Sequence, residues 1–182
     1  MRTREAIETA AKQLFSENGY ERTTVRDIGT RAGIDPSMII RYFGSKEALF
    51  AHVATPDLRL LDLNNIDGTA IGEAIVRHFL AIWEGEQSGG GMQVLLRSAA
   101  SNPEAAERMR GIFATQVLPA IARVGRPETA ALRAGLVGSQ LIGLAMTRYV
   151  LGLPPVVAMP VEFIVRSIGK TIQRYASLDE EM

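Results

Sequence analysis

Thr24-Val25-Arg26-Asp27-Ile28-Gly29-Thr30-Arg31-Ala32-Gly33-Ile34-Asp35-Pro36 carries two helix starts with one helix stop between them. Thr24 is a helix N-cap, and Asp27, three residues on, faces the free amides of the first turn. Val25, Ile28 and Ala32 turn inward before Gly33 ends a short helix. Asp35 caps the next helix, with Pro36 at its first position, where a missing N–H costs nothing. The two short helices therefore meet at a tight turn, Gly33-Ile34. Ser45 caps a fourth helix that runs through Leu49, Phe50 and Val53 and ends near Thr55-Pro56. A small helical unit of this kind has the form of a helix-turn-helix headpiece.

Outward from this stretch the periodicity stays helical. Upstream, Ile7, Ala10, Ala11, Leu14 and Phe15 fall on one helix face, and Gly19 is expected to stop that helix in the left-handed conformation. Downstream, Ile71, Ile75, Phe79 and Ile82 mark a longer helix, ended by Gly85 and the run Gly89-Gly90-Gly91. Residues 92–100 form a shorter one. Asn102-Pro103-Glu104 starts a helix bearing Met109, Phe113, Val117 and Ile121, which Gly125 stops. Pro127 opens the longest segment, through Leu136, Leu141 and Leu144 to Gly152, and Met159-Pro160-Val161 starts a last helix through Ile164, Ile168, Ile172 and Tyr175. The acidic tail from Asp179 is expected to fray. No strand pattern competes, so the chain reads as all-α with about nine helices.

Composition narrows the function. The 182 residues, 47 % apolar and 22 % charged, can bury a core. Twenty basic and twenty acidic side chains balance, so any contact with a polyanion must come from a local patch. Without cysteine, thiolate zinc sites, disulfides and thiol catalysis are excluded, and two histidines, His52 and His78, make a histidine metal cluster improbable. No metal and no cofactor is expected. Neither 134–147, broken by Arg148, nor the proline-interrupted 149–161 is long enough to span a bilayer, which needs about 20 apolar residues. A cytoplasmic protein with no membrane partner is the expectation.

The residues from Thr24 to Ile34, followed by Ile39-Ile40-Arg41-Tyr42-Phe43-Gly44-Ser45-Lys46-Glu47-Ala48-Leu49-Phe50, resemble the headpiece of TetR-family transcriptional regulators. Leu14-Phe15, Gly19-Tyr20, the threonine cap, the glycine turn, Tyr42-Phe43 and Ser45-Lys46-Glu47 all match in spacing. Ile40 departs from the pattern, standing where many members carry a tyrosine that touches DNA. The resemblance implies a DNA-binding domain at residues 1–53 and a helical effector-binding and dimerisation domain at 54–182. It implies a homodimer through the last two helices, an inverted-repeat operator in double-stranded DNA, a small-molecule effector, and repression that the effector relieves. It implies no enzymatic activity.

Residue chemistry gives the candidate DNA set. Arg22, Arg26, Arg31, Arg41 and Lys46 face only Asp27 and Asp35 in this stretch, while residues 51–182 are slightly acidic. Phosphates supply most DNA affinity, and a basic headpiece on an acidic body suits them; a solvated charged face gives the same count. Thr24 is a cap whose hydroxyl and neighbouring free amides can also meet a phosphate. Arg26 belongs to the same basic stretch. Pro36, Ser37 and Met38 form the first turn of the helix that enters the major groove in this motif. Arg41 is either a surface charge or a contact to base or phosphate, and Tyr42 can pack its ring while its hydroxyl reaches a phosphate. Lys46 sits inside a helix N-terminus, where a cation is unfavourable, which favours an external phosphate over a structural role.

For the body, His78, Gln116 and Gln140 lie on apolar stripes and need partners, from the protein or from a ligand. Trp83, Met92, Met109 and Phe113 either line an apolar cavity or are ordinary core. Gly135, Gly138, Gly143 and Ala145 permit close helix approach, within one chain or between two. The rival reading, a helical enzyme or ligand carrier, lacks an acid–base pair: Asp57, Asp62 and Asp67 are spaced by five and do not share a helix face. A headpiece that no longer binds DNA is a third reading.

Overall fold

The computed structural model describes residues 2–54, 56–85 and 89–178. Thr55, at the expected end of the fourth helix, and the acidic tail from Asp179 lie outside the described residues. Among the described residues there are helices and turns and no strands, as the periodicity predicts. The helices are α1 (Arg2–Arg22), α2 (Val25–Ala32), α3 (Pro36–Phe43), α4 (Lys46–Val53), α5 (Ile71–Glu84), α6 (Gly89–Ala99), α7 (Pro103–Ile112), α8 (Leu118–Ala122), α9 (Ala130–Ala145), α10 (Pro154–Val157) and α11 (Val161–Ala176). A π turn, Phe113–Val117, joins α7 to α8 without a break, and a second, Met146–Val150, prolongs α9. Among the described residues ten continuous helices result; the one beyond the expected number is the single turn α10.

Two compact units divide the chain. The first combines Met1–Pro56 with Gly85–Arg110, so the headpiece unit takes in α6 and most of α7 in addition to residues 1–53. Its core gathers Ile7, Ala11, Leu14, Ile28, Ile39, Leu49 and Leu95. Three rings cluster there: Phe50 meets Phe15 and Tyr20 edge-on at 4.9 and 5.0 Å. As expected, the first helical run of α1 breaks at Gly19, and a short second stretch carries on to Arg22. Gly19 adopts φ 78, ψ 171, which kinks the helix and turns Tyr20 into the core. The buried Thr23 hydroxyl closes the kink by donating to the Leu14 and Gly19 carbonyls at 3.0 and 2.8 Å. The glycine run does not merely end α5; it forms the first turn of α6. A Cβ on Gly91 would stand 2.8 Å from the Phe50 ring, so the run lets α6 approach α4.

The second unit, Asp57–Glu84 with Gly111–Met182, is built on α5 and α11. These helices pack backbone to backbone: a Cβ on Gly72 would lie 2.1 Å from the Gly169 carbonyl and 2.5 Å from the Gln173 nitrogen. The Gln173 amide then caps α5, accepting from the Gly72 N–H at 2.8 Å and donating to the Gly68 carbonyl at 2.7 Å. The deeply buried stripe of α5 is Ile71, Val76, Leu80 and Trp83, offset from the predicted one; Ile75, Phe79 and Ile82 are half-buried. The offset arises because α5 is apolar over more than one face, and the Gly72 contact fixes which face meets α11.

Arg133, fully buried on α9, is the largest polar element of this core. Its guanidinium donates to the carbonyls of Ile121 (3.2 Å), Val124, Arg126 (2.8 Å) and Ala176 (3.1 Å) and to the Thr129 hydroxyl (3.0 Å). The helix over Pro127–Val150 is, contrary to the sequence expectation, long and apolar enough to cross a membrane by length and composition. Here it places Ala134, Val137, Leu144 and Ala145 in the core of the unit.

Gly72→Ala is expected to destabilise the protein by about 3 kcal/mol or more, because backbone atoms cannot yield as side chains do. Gly111→Ala, in α7 with nothing within 4 Å of its added Cβ, should stabilise by roughly 0.5–1 kcal/mol through helix propensity. Paired denaturant melts measure both.

Candidate nucleic-acid interface

The α2–turn–α3 motif is built from its caps. The Asp27 N–H donates to Thr24 Oγ1 at 3.1 Å and the Thr24 N–H to Asp27 Oδ2 at 3.0 Å, completing the capping box. The Thr24 hydroxyl itself donates to Asp27 at 2.7 Å. The turn closes through the Ile34 N–H on the Gly29 carbonyl, 2.9 Å. It requires glycine at 29, since a Cβ there would stand 2.7 Å from the Ile34 carbonyl oxygen and 3.1 Å from Pro36 Cγ. Asp35 caps α3 by accepting from the Ser37 N–H (2.8 Å) and the Ser37 hydroxyl (2.6 Å). These hydrogen bonds, from Thr24 and Ser37 respectively, hold both carboxyls below the usual range.

Around α3 the residues separate cleanly. Ile39 is fully buried, Pro36, Met38 and Phe43 are half-buried, and Ser37, Ile40, Arg41 and Tyr42 are exposed. At about 100° per residue, Ile40, Ser37 and Arg41 are consecutive around one side of the helix. Arg41 makes no ion pair or hydrogen bond among the described residues. Thr24 and Arg26 are likewise exposed at the start of α2, while Arg31 is paired with Glu17 at 2.8 Å and Arg22 donates to the Asn18 carbonyl.

Lys46 corrects the sequence reading. Its ammonium donates to the Tyr20 and Thr23 carbonyls at 2.9 and 3.0 Å and sits 4.0 Å from the centre of the Tyr20 ring. The α4 N-terminus repels a cation, but the α1 C-terminus beside it attracts one. Lys46 therefore has the structural role that its sequence position argued against. Tyr20, buried and donating to Glu47, has its phenol pKa pushed well up by that burial.

The sequence did not single out His52. Its Nε2 lies 2.9 Å from Glu8 on α1 and its Nδ1 2.9 Å from Glu104 on α7, tying three helices of the first unit together. Beside it an open cleft of about 460 Å³ is lined by Arg4, Tyr42, Phe43 and the turn from Ser101 to Glu104.

In the second unit, His78 and Gln116 share one task. His78 Nε2 lies 2.9 Å from the Leu58 carbonyl, and Gln116 Oε1 accepts from the Leu58 N–H at 2.8 Å. Trp83 stacks on Tyr149, with ring centres 5.3 Å apart. Phe113 packs so tightly on Gly138 that a Cβ there would be 3.2 Å from its ring. Gln140 is half-buried. Met92 and Met109 fall in the first unit, apart from the other five candidates.

These features define a helix-turn-helix protein with a separate helical unit. The family described as "Bacterial regulatory proteins, tetR family" matches residues 7–53, and "Tetracyclin repressor-like, C-terminal domain" matches residues 70–176. An HTH-type transcriptional repressor of Mycobacterium tuberculosis is 35% identical over 77 residues, 40% of each chain. The match thus spans less than half of that relative's length. A TetR-family regulator from Streptomyces coelicolor A3 is 33% identical, with 96% of this chain and 94% of that one covered and a TM-score of 0.51. The SmeT–triclosan complex shares the fold at 21% identity, covering 98% and 93%, with a TM-score of 0.51. The chain belongs to the TetR family, whose members are DNA-binding transcriptional regulators.

Two outcomes follow from this geometry. Lys46→Ala should lower the stability of the DNA-free protein by about 1–3 kcal/mol, the cost of leaving the α1 carbonyls without their donor, read as a thermal midpoint. Because Asp27 and Asp35 titrate lower folded than unfolded, their caps contribute fully above the ordinary carboxylate range. That contribution is lost as pH falls below this range, through the depressed folded-state pKa values. An Asp35→Asn variant should show a shallower acid-unfolding profile by circular dichroism.

Proposed function

We propose that this chain is a sequence-specific transcriptional repressor that binds an inverted-repeat operator as a homodimer and releases it when a small apolar or aromatic molecule binds. The observation that carries the reading is the exposed side of α3, where Ser37 and the unpaired Arg41 stand on a helix fixed by its own cap. Arg26 and Tyr42 contact phosphates, which position the motif, whereas Thr24, whose N–H and hydroxyl both donate to Asp27, acts as the cap of α2. Ser37 and Arg41 contact base edges. Since the Ser37 hydroxyl donates to Asp35, its oxygen is left to accept from an adenine or cytosine amino group. Pro36 and Met38, half-buried in the first turn of α3, complete the surface that enters the groove, and Lys46 holds α4 against the end of α1.

Dimerisation uses the free side of α9 and the neighbouring α11. Gly135 and Gly143 have nothing within 4 Å of an added Cβ, whereas Gly138 faces Phe113 inside the unit. In the same unit the large apolar side chains Ile142, Leu151, Leu153, Val157 and Phe163 are exposed. A two-fold mate covers them and sets the two copies of α3 about one DNA turn, or a multiple of it, apart. Trp83, Phe113 and Gln140 are the proposed effector contacts; the aromatic ligand of the SmeT complex supports the chemical class. The proposed site of action is the cytoplasm.

The purified protein should shift a duplex carrying its own promoter and not a scrambled one. Arg41→Ala and Tyr42→Phe separate the two kinds of contact in a salt titration: Tyr42→Phe should weaken both duplexes alike, Arg41→Ala the promoter selectively. Equal affinity of the wild type for both duplexes would refute sequence-specific binding. Gly135→Leu should yield a folded monomer by light scattering, with operator affinity reduced at least tenfold. An effector should raise the thermal midpoint and weaken operator binding together; stabilisation without release would point to a carrier.

A further inference from the structure

Two isoleucines stand side by side on α3 and have opposite fates. Ile39 is fully buried in the headpiece core, while Ile40 is 46% exposed. An exposed isoleucine by itself decides nothing, because folded surfaces are largely apolar. Its neighbours decide more. Ile40 shares the exposed side of α3 with Ser37, a fixed acceptor, and Arg41, a cation with no partner among the described residues. The side that the reading above turns toward the major groove is thus apolar, acceptor and cation in sequence around the helix.

An isoleucine can neither donate nor accept a hydrogen bond, so it gains nothing from a phosphate or a polar base edge. The thymine 5-methyl is the apolar group that distinguishes base pairs in the major groove. We infer that Ile40 is a specificity-determining residue that reads a thymine 5-methyl group in each operator half-site. This rests on the DNA-binding reading and extends it: at this position the chain presents a side chain that rewards one base and gains nothing from a phosphate.

The test uses the full-length wild-type protein and the duplex it enriches from a random-sequence pool. Each thymine of the half-site is replaced in turn, symmetrically, by uracil, which pairs identically and lacks the methyl. At one position per half-site the wild type should lose about fourfold in affinity per methyl removed, the effect of exposing one methyl-sized group. Ile40→Ala should bind the thymine and uracil duplexes equally, with an unchanged thermal midpoint. Ile40→Val, which keeps the branch at Cβ, should retain part of the discrimination and checks any loss of fold in the alanine variant. If no uracil substitution has an effect that depends on Ile40, or the half-site holds no thymine, the inference is overturned while DNA binding stands. If the pool yields no enriched duplex, the DNA-binding reading itself fails.

Discussion

A helix ends with carbonyls that have no partner in the helix, and this chain meets that constraint with cations. Lys46 covers the end of α1, Arg108 donates to the His52 carbonyl near the end of α4, and Arg148 gathers the carbonyls of Val156, Val157 and Met159 around α10. Arg133 does the same for α8 and α11 at once from a fully buried position. The helix dipole favours a positive charge at each of these ends, and the multiple donors of guanidinium suit it to carbonyls that converge from different segments. Removing such a group leaves several carbonyls unsatisfied together, so the ends of these helices are held as sets rather than one by one.

This use of charge changes how the basic headpiece is understood. Of the five cations between Arg22 and Lys46, Arg31 is bound to Glu17, and Arg22 and Lys46 are engaged on carbonyls. The positive potential they create persists, but only Arg26 and Arg41 extend exposed guanidiniums without a hydrogen bond or an ion-pair partner of this kind. Two carboxylates, Asp27 and Asp35, occupy the N-termini of α2 and α3 as caps. They satisfy the amides that would otherwise be free to hold an anion. The motif is therefore stabilised from within, and its affinity for a polyanion depends on a small number of side chains.

What could be read from the sequence was local. The caps at Thr24, Asp35 and Ser45, the turn at Gly33 and the start of α11 at Pro160 each depend on residues a few positions apart, and all appear as expected. What was missed depends on distance along the chain. Lys46 meets carbonyls 23 and 26 residues earlier, Arg133 meets one 43 residues later, and His78 and Gln116 converge on Leu58 from opposite directions. The α5 stripe was misplaced for a related reason: on a helix apolar on several sides, the partner and not the pattern selects the buried face. Gly72 was the available signal, since a glycine inside a helix costs stability unless something must come close.

The glycine crossing of α5 and α11 also has a mechanical consequence. Where backbone rests on backbone, neither helix can roll about its axis or slide along the other without driving main-chain atoms together. The Gln173 amide, gripping α5 at Gly72 and the turn before it at Gly68, fixes the axial register as well. The pair therefore behaves as a single stiff beam within its unit. Strain arriving from elsewhere in the unit has to be absorbed by parts with slack, such as the π turns and the open glycines of α9, and the beam is the fixed reference against which they move.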